Sequence, residues 1–245
     1  MGVGGVLRLQ EKEMKIIALL GGVACGKSTV AKYLSGKGAV VICVDKIAHE
    51  TLSVPEVREQ MYKRWHDKIA FSSGAELFRK QVADLVFKDR NELAFLEHIT
   101  WPFMRRAILQ RIGSYHPLYT KIVVLDFPLF MESNFGEDIK SSYKNYRMDG
   151  SWETPDISCW FVDTPESRRL ENFINRRKKE GVQETVEEAE FTFRAREKRQ
   201  YGPDTKRAAC DVIIENDGTD AIKLEIDKAL GASRCLLANS LDTVA

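Results

Sequence analysis

The chain has 245 residues, with 37 Lys+Arg against 36 Asp+Glu, a formal net charge of +1, and 44% hydrophobic and 30% charged residues. That length holds one large domain or a core with a subdomain, and the composition excludes wholesale disorder. The charge balance supplies no global field for DNA or an anionic membrane, so any anion site must be local.

Residues 1–13 carry no apolar h-region of a secretory signal and read as a flexible tail. Gly2 does not open a myristoylation signal, because Val6 stands where Ser or Thr is required. No apolar run approaches the roughly 18 residues of a membrane helix. A cytoplasmic protein is expected, with an organelle address left open. The five cysteines, Cys25, Cys43, Cys159, Cys210 and Cys235, form no CxxC or Cys/His cluster, which implies a reducing compartment and no structural zinc. The four histidines, His49, His66, His98 and His116, have no metal or triad spacing and read as structural.

From residue 14 the chain alternates short apolar runs with helical patterns. The runs at 15–21, 39–44, 121–127, 157–162 and 211–214 are continuous and rich in β-branched residues, as parallel strands covered on both faces require. Phe78, Val82, Leu85 and Val86 fall at helical spacing, as do Ile222, Ile226, Ala229 and Leu230, with Gly231 as a candidate C′ glycine. Residues 55–115 hold no strand-like run and predict several helices inserted between the second and third strands. Residues 133–156 are polar and turn-rich and predict an extended surface loop. From 168 to 207 there are 12 Lys/Arg against 8 Asp/Glu, so charge is segregated although the total is balanced. The expected fold is α/β and doubly wound, a three-layer arrangement on a five-stranded parallel sheet.

The strongest local signal is Gly21-Gly22-Val23-Ala24-Cys25-Gly26-Lys27-Ser28, which satisfies GxxxxGK[ST] between the strand-like KIIALL and the helix-like STVAKYL. Its glycines let backbone N–H groups turn toward phosphate oxygens, and the following helix presents its positive end to the same anion. Lys27 would neutralise the β and γ phosphates of ATP, and the Ser28 hydroxyl, followed by Thr29, would ligate Mg²⁺. The plain alternative is an ordinary glycine turn. Phosphate binding alone does not separate a kinase from a GTPase or a motor, but no NKxD-like base-reading motif is present. A compact chain with a helical insertion reads as a small-molecule kinase with a basic lid.

The residues resemble the dephospho-CoA kinase family from about 15 to 230. IIALLGGVACGKSTVAKYL and VVICVDKIAHETL are similar to its opening strand, loop, helix and second strand, and put Asp45 in the place of its catalytic aspartate. LFRKQVADLVF places Arg79 at an acceptor-binding position. VVLDFPLFMES resembles the signature that brings in Asp126, Pro128, Leu129 and Glu132. VDTPESRRLENFINRR resembles the segment with the lid arginine, Arg176 or its rival Arg177, and AREKRQYGPDTKRAACDVIIENDG resembles the closing pattern with Arg196, Gln200, Lys206, Asp211, Asn216 and Gly218. Ala24 replaces a common loop glycine, Cys43 stands where the first of two aspartates usually lies, and Trp101 stands where a histidine often does.

The resemblance implies a P-loop NTPase-type core at 14–53 and 118–232, an acceptor-binding helical insertion at 54–117, a lid at 176–200 and a C-terminal tail at 233–245. It implies ATP-dependent phosphorylation of the ribose 3′-hydroxyl of dephospho-CoA, with Mg²⁺ and without nucleic acid or a membrane span. Other readings are a nucleoside or nucleotide kinase and a silent nucleotide-binding protein. Lys27, Asp45, Arg176 and Arg196 are the expected catalytic residues. Gly21, Gly22, Ala24, Cys25, Gly26, Lys27, Ser28, Thr29 and Asn216 would hold the nucleotide, and Asp45, Arg79, Asp126, Pro128 and Glu132 the acceptor. Plain alternatives stand beside some of these: a helix cap for Asp45, a strand-end carboxylate or a water-mediated Mg²⁺ contact for Asp126, and a turn for Asn216.

Overall fold

A computed structural model of the chain describes residues 14–115, 120–142, 145–146, 152–153 and 155–232. The expected tails, Cys235, His116 and parts of the 133–156 stretch lie outside these residues. The described elements in chain order are β1 (Lys15–Leu20), α1 (Lys27–Gly36), β2 (Val40–Cys43), α2 (Val44–Thr51), α3 (Pro55–Trp65), α4 (Ala75–Lys88), α5 (Arg90–Gly113), β3 (Ile122–Asp126), α6 (Phe135–Ser142), β4 (Asn145–Tyr146), β5 (Trp152–Glu153), β6 (Asp156–Asp163), α7 (Glu166–Lys179), α8 (Val186–Glu197), α9 (Pro203–Ala209), β7 (Val212–Glu215) and α10 (Ala221–Ala232). The described residues fall into two compact units: 43–114, and those up to Ile42 and from Tyr115 onward.

The core unit is built on a five-stranded parallel sheet of order β2-β3-β1-β6-β7, as the continuous apolar runs predict. β1 lies at its centre, with Ile17 opposite Val124 on one side and Ser158 on the other. On one face Ile17, Leu19, Val124, Trp160, Val162 and Ile214 bury against Val30 and Leu34 of α1 and Ile222 and Ile226 of α10. Ile16, Ala18, Leu20, Val123 and Leu125, which alternate with them, are fully buried too, so neither face of the central strands meets water. α10 runs through Gly231 to Ala232, so that glycine does not end the helix as expected.

Within the 133–156 stretch, the described residues 135–142 form a helix where the polar composition predicts a loop. Phe135 and Ile139, four residues apart, are fully buried and seat α6, with Phe127 and Phe130 packed edge-on against Phe135. Beyond it β4 and β5 form a short antiparallel pair. Two apolar residues in an otherwise polar run were too few to register as a helical face.

The helical unit contains α2 to α5; the expected insertion at 54–117 covers α3 to α5, while α2, expected with the core at 14–53, groups with these helices instead. Val57, Met61 and Trp65 of α3, Phe78, Val82 and Val86 of α4, and Ile99 of α5 make its core. Asp89 caps α5 by accepting the Asn91 N–H at 2.8 Å.

Candidate active site

The loop between β1 and α1 has the backbone geometry of an anion cradle. Ala24 and Gly26 are left-handed, with φ of 56° and 96°, and Gly26 is the N-cap of α1. No acidic side chain lies in the first turn of α1, so the positive end of its dipole is uncompensated. Lys27 Nζ donates to the carbonyls of Gly21 and Gly22, both at 3.1 Å. Ser28 and Thr29 are exposed in the same turn.

Side chains from three later segments hold this backbone. The Cys25 carbonyl accepts hydrogen bonds from Thr164 Oγ1 and Asn216 Nδ2, each at 2.8 Å, and the Ala24 carbonyl accepts one from Asn172 Nδ2 at 3.4 Å. Because the peptide is trans, turning the Cys25 carbonyl toward these donors points the Gly26 N–H the other way. A Cβ on Gly26 would come within 2.5 Å of Asn216 Nδ2, so the close approach requires glycine. Asn216, expected to contact the base, uses its amide within the protein: its Oδ1 accepts the Gly218 N–H at 3.0 Å.

Asp126 ends β3 opposite Leu19 of the central strand, which places the acidic signature beside the strand that feeds the loop. Past it lies a buried cation that the candidate set omits. Lys206 Nζ donates to the Pro128 carbonyl at 2.8 Å and to Gln200 Oε1 at 2.9 Å, and lies 2.9 Å from Glu132 Oε1. The lysine is 1% exposed. Burial pushes its ammonium below the ordinary lysine range, the Glu132 carboxylate opposes that shift, and the charge of Lys27 adds to it. Glu132 Oε1 also accepts the Tyr201 N–H at 2.6 Å, while Oε2 is buried without a hydrogen-bond partner. Lys206 was visible only as one member of the closing pattern, since no spacing marks a lysine that burial makes special.

α7 and α8 carry the basic segment. Phe173 is fully buried, and the guanidinium groups of Arg176, Arg177 and Arg196 lie over its ring at 5.6, 5.5 and 5.5 Å. Arg177 donates through both Nε and Nη2 to Glu184. The pair raises the arginine pKa and holds the Glu184 carboxyl below its usual range. Arg176 is half exposed and reaches Glu180 only at 3.9 Å. Val23 of the loop packs with Phe173, Ala189 and Phe193, so this segment has the apolar anchor that its charge density concealed.

In the helical unit Asp45 lies in the first turn of α2 and is exposed. Cys43 takes the N-cap position, so Asp45 is not the strand-end cap of the plainer reading. Arg79 is exposed on α4 beside the buried Phe78.

The sequence profile of the dephospho-CoA kinase family matches residues 15–143, a span that includes the phosphate loop, Asp45, Arg79 and the β3 signature. The chain belongs to the dephospho-CoA kinase family. A dephospho-CoA kinase of Shouchella clausii is 30% identical over 83% of this chain and 90% of its own length, and one of Arabidopsis thaliana is 26% identical over 89% and 83%. A crystal structure from Thermus thermophilus has the same fold, with a TM-score of 0.70 at 24% identity over 92% of this chain and 100% of that one. As a member of the dephospho-CoA kinase family the protein is an enzyme, a kinase with ATP as co-substrate. The basic helices and Asn216 lie beyond the matched profile, and rest on the geometry above.

Proposed function

We propose that the protein transfers the γ-phosphoryl group of ATP to the ribose 3′-hydroxyl of dephospho-CoA, releasing coenzyme A and ADP. The observation that carries the chemistry is the left-handed loop backbone, held through the Cys25 carbonyl and continued by a helix N-terminus that carries Lys27 and Ser28. Family membership carries the choice of acceptor.

Each residue has a distinct part. The Lys27 ammonium, held on the Gly21 and Gly22 carbonyls in this structure, exchanges them for the β and γ phosphate oxygens when nucleotide enters. The donor set suits Mg²⁺: Ser28 offers an exposed hydroxyl in the same helical turn. Bound there, the ion would supply charge neutralisation at the phosphates. Asp45, an exposed carboxylate, accepts the proton of the attacking hydroxyl, and Arg79 serves the acceptor. Arg176 and Arg196 stabilise the charge that spreads over the transferring group, since a guanidinium stays ionised and offers parallel donors. Arg177 is committed to Glu184, which favours Arg176 of the two neighbours. Asp126, Pro128 and Glu132 complete the acceptor side, with the buried Lys206 fixing the latter two.

A coupled ADP-release assay with dephospho-CoA, AMP and nucleosides as separate acceptors tests this reading. Turnover with dephospho-CoA is expected. Turnover with AMP and none with dephospho-CoA would overturn the choice of acceptor, and nucleotide binding without turnover on any of them would overturn the activity.

A further inference from the structure

Arg169 and Glu197 lie against the phosphate loop without having a part in the chemistry above. Arg169, on α7, is 4% exposed. Its Nε donates to the Thr164 carbonyl at 3.1 Å, its Nη1 donates to Glu197 Oε2 at 2.5 Å, and its guanidinium lies 5.5 Å from the centre of the Phe193 ring. The other oxygen of Glu197, at the end of α8, accepts the backbone N–H of Val23 at 2.5 Å. The loop is shaped around this pair, for a Cβ on Gly22 would sit 2.2 Å from Arg169 Nη1.

Burying the Arg169 charge beside a carboxylate that keeps only 21% of its side chain in solvent has a desolvation cost of several kcal/mol, and hydrophobic residues of similar volume often pack as well or better. A carboxylate beside a site for polyphosphate is also repulsive unless something neutralises it. Arg169 does so, and because its own Nε is bound to Thr164 it cannot swing away without leaving a buried donor unpaired. Thr164 in turn donates to the Cys25 carbonyl, so one network reaches the loop at both Val23 and Cys25. Arg196 is the residue next to Glu197 on α8. A shift of α8 that moved Arg196 would have to break the Val23 contact or drag the loop with it.

We infer that the Arg169–Glu197 pair is a positioning device that sets the register between the phosphate loop and α8, so that the loop amides and Arg196 meet the same phosphates. The inference rests on reading the loop as the ATP site, but not on the identity of the acceptor. Neither residue is catalytic; both act through Val23 and Arg196.

The test uses the full-length protein with two variants. The double variant Arg169→Met/Glu197→Met removes both charges while keeping bulk, and Glu197→Gln keeps an acceptor for Val23 but removes the carboxylate charge that faces Arg169. MgADP affinity is measured by calorimetric titration, kcat and KM by ADP release, and folding by thermal melting. The double variant is expected to melt close to wild type, to bind MgADP about tenfold more weakly, as loss of one charge-assisted contact predicts, and to lose about 10²-fold in kcat/KM for ATP through misplacement. The KM for the acceptor should not change. Glu197→Gln should fall between the double variant and wild type. A double variant that melts normally and keeps wild-type MgADP affinity and kcat would overturn the inference, leaving a pair that only packs two helices. If the double variant does not fold, unchanged MgADP affinity and kcat in Glu197→Gln would overturn it equally. The MgADP titration needs no acceptor, so a wrong choice of dephospho-CoA would show in the acceptor panel and leave this result readable.

Discussion

Glu92 in the helical unit and Glu197 in the core unit are both carboxylates held by an arginine, but their other partners differ. Glu92 accepts Arg64 Nε at 2.6 Å, the Trp65 indole N–H at 2.8 Å and Lys68 Nζ at 3.3 Å, and so ties the end of α3 to α5. Glu197 gives one oxygen to Arg169 and the other to a backbone amide of the phosphate loop. Around the loop the same preference recurs, since Thr164, Asn172 and Asn216 all donate to its carbonyls. The Glu92 network joins side chains to side chains and specifies how α3 packs on α5, while the buried Thr51 and Thr100 only return their hydroxyls to carbonyls of their own helices. Around the phosphate loop, buried polarity grips main chain that glycine and left-handed φ values leave free to move, so it preorganises a site. Substitutions should therefore separate: those at the loop should cost transfer more than stability, and those around Glu92 the reverse.

The largest expected effect cuts across that division. Asp45 belongs to the helical unit, yet it is exposed and outside the Glu92 network. Asp45→Asn should lower kcat by roughly 10²- to 10⁴-fold, the usual contribution of a general base, with little change in MgATP affinity or melting temperature. A fall below about tenfold would leave the helical unit without a proton acceptor at this position and return Asp45 to a charge favouring the α2 N-terminus. Lys27→Met comes next. It should cost about 10²- to 10³-fold in transfer, the scale of one lost charge-stabilising donor, while the melting temperature stays near wild type. A large drop in melting temperature would show that the two carbonyl contacts of Lys27 hold the fold, and the contrast between the units would weaken.

Glu92 sharpens the contrast from the other side. Its carboxyl is held down to about 2, first by the Arg64 hydrogen bond and then by that of Trp65, with burial opposing them. A carboxyl whose pKa is lowered on folding stabilises the native state above its unfolded value, near 4.5, and loses that contribution as pH falls toward about 2. Denaturant midpoints measured from pH 6 to pH 2 should therefore fall across that window in the wild type. In Glu92→Gln this part of the acid dependence should vanish, and at neutral pH the variant should be less stable by about 1–3 kcal/mol, as for the buried Trp65 indole and the half-exposed Arg64 and Lys68 deprived of a charged acceptor. Its kcat, measured while folded, should be close to wild type. A variant of unchanged stability with impaired transfer would reverse the comparison.

What could be read in the sequence follows the same line. The sheet was legible because burial on both faces writes continuous apolar runs such as KIIALL and IVVLD, and the loop because its backbone needs glycine at fixed spacing. Asp45 and Arg79 were singled out only through resemblance, since an exposed charged residue on a helix leaves no local pattern. Arg169 and Glu197 were not legible at all. Within RRLENFINRR and RAREKRQ they look like any solvated charge, and only the packing of α7, α8 and the loop buries Arg169 and brings Glu197 against Val23. Lys206 is a similar case, a lysine in a short helix whose burial depends on Pro128, Glu132 and Gln200 arriving from other segments. α6 was missed for the opposite reason, too little apolar signal rather than too much charge.

The smallest expected effect tests whether the grip on the loop compensates strain within it. Ala24 has φ of 56°, a region that costs a residue with a Cβ roughly 1–2 kcal/mol. Ala24→Gly would relieve that cost, but glycine loses more freedom on folding, by roughly 0.5–1 kcal/mol relative to alanine. The Ala24 side chain also packs on the Phe173 and Phe193 cluster, and removing one methyl forfeits part of about 0.8 kcal/mol. The three contributions nearly cancel, so the variant should lie within about 1 kcal/mol of wild type, a shift of no more than about 2–4 °C in melting temperature for a chain of this size. MgATP affinity and kcat should not change, because the Ala24 carbonyl remains available to Asn172 and the Cys25 carbonyl to Thr164 and Asn216. A loss of transfer with normal melting would show that the Cβ itself sets the loop conformation, and that the surrounding side chains hold the loop less firmly than the helices of the other unit hold one another.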